Sequence, residues 1–320
     1  MNGTRATETC AVDGGIPPLG APPLYLPFAD GPFRMAMGLV AQPASALTEI
    51  DSHYPAQMAL RRQLLAERPA EVFAALPGSA PARAEVLAVL AAHLATDHPG
   101  WFAREGDRLA NRLTGENWDL ARPPCDPLEL AGRLVQEDLC VLEPSADGSR
   151  LIAAVLCFPS RWRLADKIGR PMLAIHAPVP LYAEKLAGKV DRFMALLGPS
   201  RLVERVNWSI HDDPTLFQPA GHGRTEADPA ITAANAGARL TLRVERQTLS
   251  RLPESGAILF TIRTHQRGVD EIAALPGVAA RLAGAIRALP PEMERYKSVQ
   301  PFRAALLDFL DRRSSGNAGA

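Results

Sequence analysis

The segment "LTLRVERQTLSRLPESGAILFTIRTH" (residues 240–265) holds two strand-like runs, 240–249 and 257–265, around "SRLPESG". Val, Ile, Thr, Leu and Phe dominate both runs, and Pro253 and Gly256 mark a turn between them, so the segment reads as a β-hairpin. Side chains alternate between the two faces of a strand. Leu240, Leu242 and Val244 share one side, continued by Arg246, and Thr241, Arg243, Glu245 and Gln247 share the other. In the second run Ile258, Phe260, Ile262 and Thr264 alternate with Leu259, Thr261, Arg263 and His265. Grouped by polarity, the hairpin has an apolar face and a face bearing Arg243, Glu245, Gln247, Arg263 and His265. Two readings of the polar face stand side by side. It is either a solvated sheet face laced by cross-strand ion pairs, or the wall of a cavity in which arginine is a fixed cation and glutamate an acceptor for a small cationic group. Periodicity does not choose between them.

Three further strands are expected outside the hairpin. "DLCVLEP" (138–144) and "LIAAVLCF" (151–158) flank a turn at Asp147-Gly148, and "LVERVNWSI" (202–210) stands alone. Helical spacing marks 51–76, broken at Pro69, then 80–102 and 127–137, so the first 140 residues read as mainly helical. A helix is expected over 181–197, a long loop over 211–238, and two closing helices over 269–289 and 291–312. Five strands with a helical insert after the second, flanked by helices at both ends, give an α+β fold with an antiparallel sheet. Residues 1–34 form an irregular arm, 35–312 a single domain, and 313–320 a flexible tail.

Bulk properties narrow the function classes. Lys+Arg and Asp+Glu are both 35, so the chain lacks the basic excess of a general nucleic-acid binder. Only four of the basic residues are lysines. Cys10, Cys125, Cys140 and Cys157 form no C-x-x-C pair and no zinc or iron–sulfur spacing. No run approaches the ~18 apolar residues of a membrane span, and the N-terminus lacks a basic segment followed by an apolar one. A cytoplasmic location is expected, with no nucleic acid and no membrane as partner.

Three segments carry a resemblance: "FPSRWRLADKIGRPMLAIHAPVPLY" (158–182), "ERVNWSIHDD" (204–213) and the hairpin, supported by "PFADGPFRMAMGL" (27–39) and "VQEDLCVLEP" (135–144). Together they resemble the alpha subunit of haem-dependent oxidative N-demethylase and its relatives, over roughly residues 22–310. The resemblance implies a haem-binding PAS-like fold, a five-stranded antiparallel sheet with helices between strands two and three. It also implies a haem b cofactor and the oxygen-dependent demethylation of a small secondary amine such as dimethylamine, releasing formaldehyde. Electrons would come from NADPH through partner subunits carrying flavin, an iron–sulfur cluster and folate. The competing reading is a haem-based PAS gas or redox sensor without catalysis, since fold does not fix function.

Under this resemblance His176 is the first candidate for the iron, because it lies in the insert after the apolar run "MLAI" and beside Pro178 and Pro180. His211, after "NWSI", is the second. Arg243 or Arg263 would polarise bound oxygen, Glu245 would hold the substrate ammonium, Asn207 would orient either group, and Trp208 would wall the pocket. Arg246, on the other side of its strand, would reach a haem propionate or simply pair at the surface. For Arg243, Glu245 and Arg263 the competing reading is a structural ion network.

Overall fold

The computed structural model describes residues 15–28, 31–145, 147–199 and 201–317. Much of the expected arm and the end of the expected tail lie outside the described residues, as does Cys10.

The N-terminal half holds a short strand, β1 (Val40–Gln42), then helices α1 (Tyr54–Glu67) and α2 (Pro69–Val72), strand β2 (Phe73–Ala75) and helix α3 (Ala80–Asp97). Proline cannot continue the hydrogen-bond ladder of a preceding turn, and Pro69 sits where α1 gives way to α2. A small sheet follows, β3 (Phe102–Glu105), β4 (Arg108–Asn111) and β5 (Glu116–Asp119), its connections turning at Gly106 and Gly115, both at positive φ. This sheet corrects the reading of the first 140 residues as mainly helical. Its strands span four residues each, too few for alternation to register in the sequence.

After α4 (Pro127–Gly132) come the strands that build the main sheet: β6 (Asp138–Ser145), β7 (Gly148–Val155), β8 (Leu202–His211), β9 (Thr241–Arg251) and β10 (Ile258–Gly268). All five expected strands form. They stand next to one another in a seven-stranded sheet of order β1-β8-β9-β10-β6-β7-β2, in which every pair is antiparallel. The two strands not expected, β1 and β2, are three-residue edges.

The insert between β7 and β8 carries α5 (Met172–Ile175), α6 (Tyr182–Lys185) and α7 (Ala187–Leu196). The long loop after β8 ends in α8 (Ala236–Arg239). Each closing helix divides in two: α9 (Val269–Ala273) and α10 (Val278–Arg287), then α11 (Pro291–Tyr296) and α12 (Arg303–Asn317). Gly277 at φ 71 and Ser298 at φ 52 mark the two breaks. Helix α12 runs into the segment expected as a tail. No described helix is long and apolar enough to cross a membrane.

Alternation along the central strands sorts side chains into two layers. Leu139, Val141, Val155 and Leu259 pack with α1, α3 and α4. Cys140, Leu142, Leu249, Ile258 and Ile262 face the insert. A third cluster joins the starts of β9 and the C-terminal helices, with Leu242, Val244, Leu282 and Leu306 at its centre.

A fully buried ion pair fixes the first layer. Asp138 opens β6 and accepts from Arg61 Nη1 of α1 at 3.0 Å and from the backbone N–H groups of Cys157 and Phe158 at 2.8 and 2.9 Å. Arg61 also donates to the Gln136 carbonyl at 2.9 Å and stacks over the Phe158 ring at 4.7 Å. One carboxylate thus ties α1, the start of β6 and the residues leaving β7. Removing one partner of such a pair strands a buried charge, so Asp138→Ala is expected to cost about 3–5 kcal/mol in chemical denaturation, with Asp138→Asn costing less.

Candidate functional site

The register of the β9–β10 hairpin decides which charges meet. Arg251 pairs with Ile258, Gln247 with Ile262, Arg246 with Arg263, and Val244 with His265. The ladder closes on a four-residue loop between Leu252 and Ala257, where Leu252 N–H donates to the Ala257 carbonyl at 2.8 Å and Gly256 takes φ 70. A loop with an even number of residues sets odd-numbered residues of β9 opposite even-numbered residues of β10. Directly opposite residues share a face. The single polar face expected from the sequence is therefore split. Arg263 and His265 lie with Arg246 on one side; Arg243, Glu245 and Gln247 lie with Phe260 and Ile262 on the other.

The first side is a buried ion network. Arg263 donates to the Asp51 carboxylate, and to Gln57 and the Thr264 carbonyl, both at 2.8 Å. Arg246 donates to Glu204 at 2.7 Å, lies 3.4 Å from Glu49 and also reaches the Ala46 carbonyl. His265 Nε2 meets Glu49 at 2.8 Å. These contacts clamp residues 46–57 to the hairpin. Neither Arg263, expected to polarise oxygen, nor Arg246, considered for a propionate, lines the cavity described below; both guanidinium groups are engaged in this network.

The second side opens into a cavity of about 710 Å³, within the range that takes a small-molecule ligand or cofactor. Its floor is the sheet face of Cys140, Leu142, Leu249 and Phe260. The insert, Pro27, Phe28 and residues from 31–39, and α10–α11 supply the walls. Residues 205–208 all contribute to the lining although their side chains alternate. Strand β1 pairs with β8 only over Leu202–Glu204, so the cavity wraps the edge of β8 beyond that point.

Four of the expected site residues, His176, Asn207, Trp208 and Glu245, line this cavity. His176 caps the C-terminal end of α5. Its Nδ1 lies 3.0 Å from the Met172 carbonyl. A carbonyl only accepts, so Nδ1 carries the proton and Nε2 is the free lone pair, with no described residue bonded to it. Burial pushes the ring down to about 4, which keeps it neutral at neutral pH. Tyr182 stacks on it with centroids 4.4 Å apart and planes 12° from parallel. Glu245 accepts from Gln247 at 2.9 Å and from Asn207 at 3.5 Å. Trp208 meets Phe28 edge-on at 5.6 Å.

The other two expected residues are engaged elsewhere. Arg243 is on the Glu245 side of β9, but its guanidinium donates to the carbonyls of Phe158 at 2.6 Å and Leu216 at 3.2 Å, and the loop after β8 covers it. His211 has both nitrogens bound. Nδ1 donates to the Gln218 side-chain oxygen and Nε2 accepts from Ser209, each at 2.8 Å. It has no lone pair for a metal and does not line the cavity. For both, burial within a folded-back loop accounts for the difference from expectation.

Sequence reasoning missed the cations. Two of the chain's four lysines, Lys167 and Lys297, line the cavity, and so does Arg205. Lys297 caps α11, donates to the Trp208 carbonyl and lies 5.4 Å from the Trp208 ring; burial pushes it down to about 8. Lys167 donates to the Ile175 carbonyl at 3.0 Å, and burial lowers its pKa. Arg205 has no ion-pair partner among the described residues, and its buried Nε has no hydrogen-bond partner, nor does the Tyr182 hydroxyl. Arg205 stands two residues before Asn207 on the same face, a spacing that could have pointed to it.

A protein-family model described as "Haem-dependent oxidative N-demethylase, alpha subunit-like" matches residues 38–307, most of the chain.

His211 yields a pH prediction. Burial, with Arg161 and Arg243 nearby, holds it down at about 3. In the unfolded chain a histidine takes a proton near pH 6.5. The folded state does not, so the stability His211 supports is present above about 6.5 and is lost as pH falls towards the folded value. The stability advantage of wild type over His211→Gln is expected to shrink by about 1.4 kcal/mol per pH unit below that point in denaturation measured at pH 7, 6 and 5.

Proposed function

The chain belongs to the haem-dependent oxidative N-demethylase alpha-subunit-like family, and from that premise we propose that the cavity holds haem b and a small secondary amine, and that the protein is the oxidising subunit of an amine demethylase. The observation that carries this reading is the state of His176: held neutral by burial, its Nδ1–H donating to the Met172 carbonyl, its Nε2 without a hydrogen-bond partner among the described residues. Metal-ligating histidines are characteristically oriented in this way by a second hydrogen bond.

The residues present fit the group. The orphaned Arg205 Nε, together with Lys167, offers charged donors suited to propionates. Phe260, Leu249 and Met194 offer an apolar surface for a macrocycle. The five central strands, β8-β9-β10-β6-β7, with α5–α7 inserted between β7 and β8, support a PAS-like reading of the sheet.

When bound, the haem supplies the oxygen activation by which an N-methyl group leaves as formaldehyde. The chain's own part is positional. His176 Nε2 would ligate the iron, and the Tyr182 stack would fix the ring plane. Glu245, oriented by Gln247 and Asn207, would hold the amine as an ammonium through a charge-assisted bond. Trp208 and Phe28 would close the pocket against water. Electrons would come from NADPH through separate reductase subunits carrying flavin and an iron–sulfur cluster.

Protein reconstituted with haem b is expected to show a Soret band that shifts on adding dimethylamine. His176→Ala should lose the band or change its position, and added imidazole should restore it. A haem-loaded protein whose spectrum ignores the His176 substitution would move the ligand elsewhere. Tight carbon monoxide binding with no amine response would favour a sensor.

A further inference from the structure

Three side chains lie in a row on the cavity wall. Lys297 Nζ is 3.5 Å from Asn207 Oδ1, and Asn207 Nδ2 is 3.5 Å from Glu245 Oε2. A cation and a carboxylate are thus held apart by one amide. Both contacts are at the outer limit of hydrogen-bond distance, so the amide saturates neither end. The remaining partners of the two charges are neutral. Lys297 has the Trp208 carbonyl, and Glu245 has the Gln247 amide. Neither charge has a salt bridge among the described residues.

We propose that this row is a zwitterion site, and that the substrate class is an N-methylated amino acid rather than a simple alkylamine. The proposal deepens, and rests on, the reading of the cavity as an amine site. The ammonium of such a ligand goes to Glu245 and its carboxylate to Lys297. Amine and carboxylate are joined through a single carbon in an α-amino acid, so the ligand presents opposite charges a short step apart, as the row does.

Charge balance favours this class. Lys167, Arg205 and Lys297 face a single carboxylate, Glu245, in a desolvated space; Arg34 also lines the cavity but is exposed, where solvent screens it. Unpaired buried charge is costly, and burial already depresses all three cations. The two carboxylates of a ferrous haem, whose iron and porphyrin charges cancel, would neutralise the excess of two positive charges, and a ferric haem would leave one uncompensated. A net-neutral ligand then keeps the site balanced, whereas a dialkylammonium ion would add a positive charge that nothing compensates.

Calorimetric titration of N-methylglycine, dimethylamine and acetate into wild type, Lys297→Met and Glu245→Gln tests the proposal, with a Soret spectrum of each sample recorded in parallel. Wild type is expected to bind N-methylglycine about tenfold or more tightly than dimethylamine, the scale of one charge-assisted hydrogen bond. Lys297→Met should weaken N-methylglycine by about that factor more than dimethylamine, and Glu245→Gln should weaken both amines. Lys297→Gln, which removes the charge but keeps a polar side chain and is expected to lower N-methylglycine affinity in the same sense, serves if Lys297→Met does not fold. Equal or tighter binding of dimethylamine by wild type overturns the proposal, as does an equal loss of both ligands in Lys297→Met. A preference for N-methylglycine without any Soret band sustains the zwitterion site and removes the haem reading; a Soret band without the preference does the reverse.

Discussion

The register of one hairpin governs the rest of the molecule. Pairing β9 with β10 so that Arg246 faces Arg263, and Gln247 faces Ile262, sends the charges of a single strand to opposite destinations. A slip of one residue would exchange them, burying Arg246 in the cavity and Glu245 in the ion network. The four-residue loop from Pro253 to Gly256 prevents that slip at one end. At the other, the Arg246–Glu204–Glu49 and Arg263–Asp51 contacts bind only the registered pairing. The buried ion network is therefore specific in what it selects: it anchors residues 46–57 across one face and leaves the other free to form a cavity.

That division explains what could be read from the sequence. The five long strands were legible because each carries β-branched and apolar residues over eight or more positions, and Gly148, at φ 93, marks the β6–β7 turn as only a residue tolerant of that conformation can. The pairing of faces was not legible. Polarity groups Arg263 with Glu245, but loop length sets the parity, and the loop's paired ends are not marked by composition. The same limit hid the small sheet of β3–β5 and the three-residue edges.

Among the site residues, His176, Asn207, Trp208 and Glu245 come together because they sit in the insert and on the inner halves of β8 and β9. Lys297 was concealed by the apparent continuity of the last helices. The chain turns at Ser298, with Pro301 following, and that break carries the lysine to the cavity. Burial is what makes these cations notable, and burial is a property of the fold. A further element of the wall, residues 27–28 and 31–39, has no helical or strand pattern in its sequence, yet Phe28 lies against Trp208.

The cavity combines an apolar sheet floor, a neutral histidine with a free Nε2, and a surplus of buried cations over carboxylates. That combination fits the haem dependence in the family's description: a flat macrocycle with two carboxylates and one position for a nitrogen ligand. The most direct measurement is a titration of haemin into the cofactor-free protein, followed at once by the Soret band and by tryptophan fluorescence. If haem b occupies this cavity through His176, both signals end at equimolar haemin, since Trp162 and Trp208 both line it, and His176→Ala loses or moves the Soret band. Gradual, unsaturated absorbance with no break at equimolar haemin, or a Soret band indifferent to His176→Ala, would contradict it.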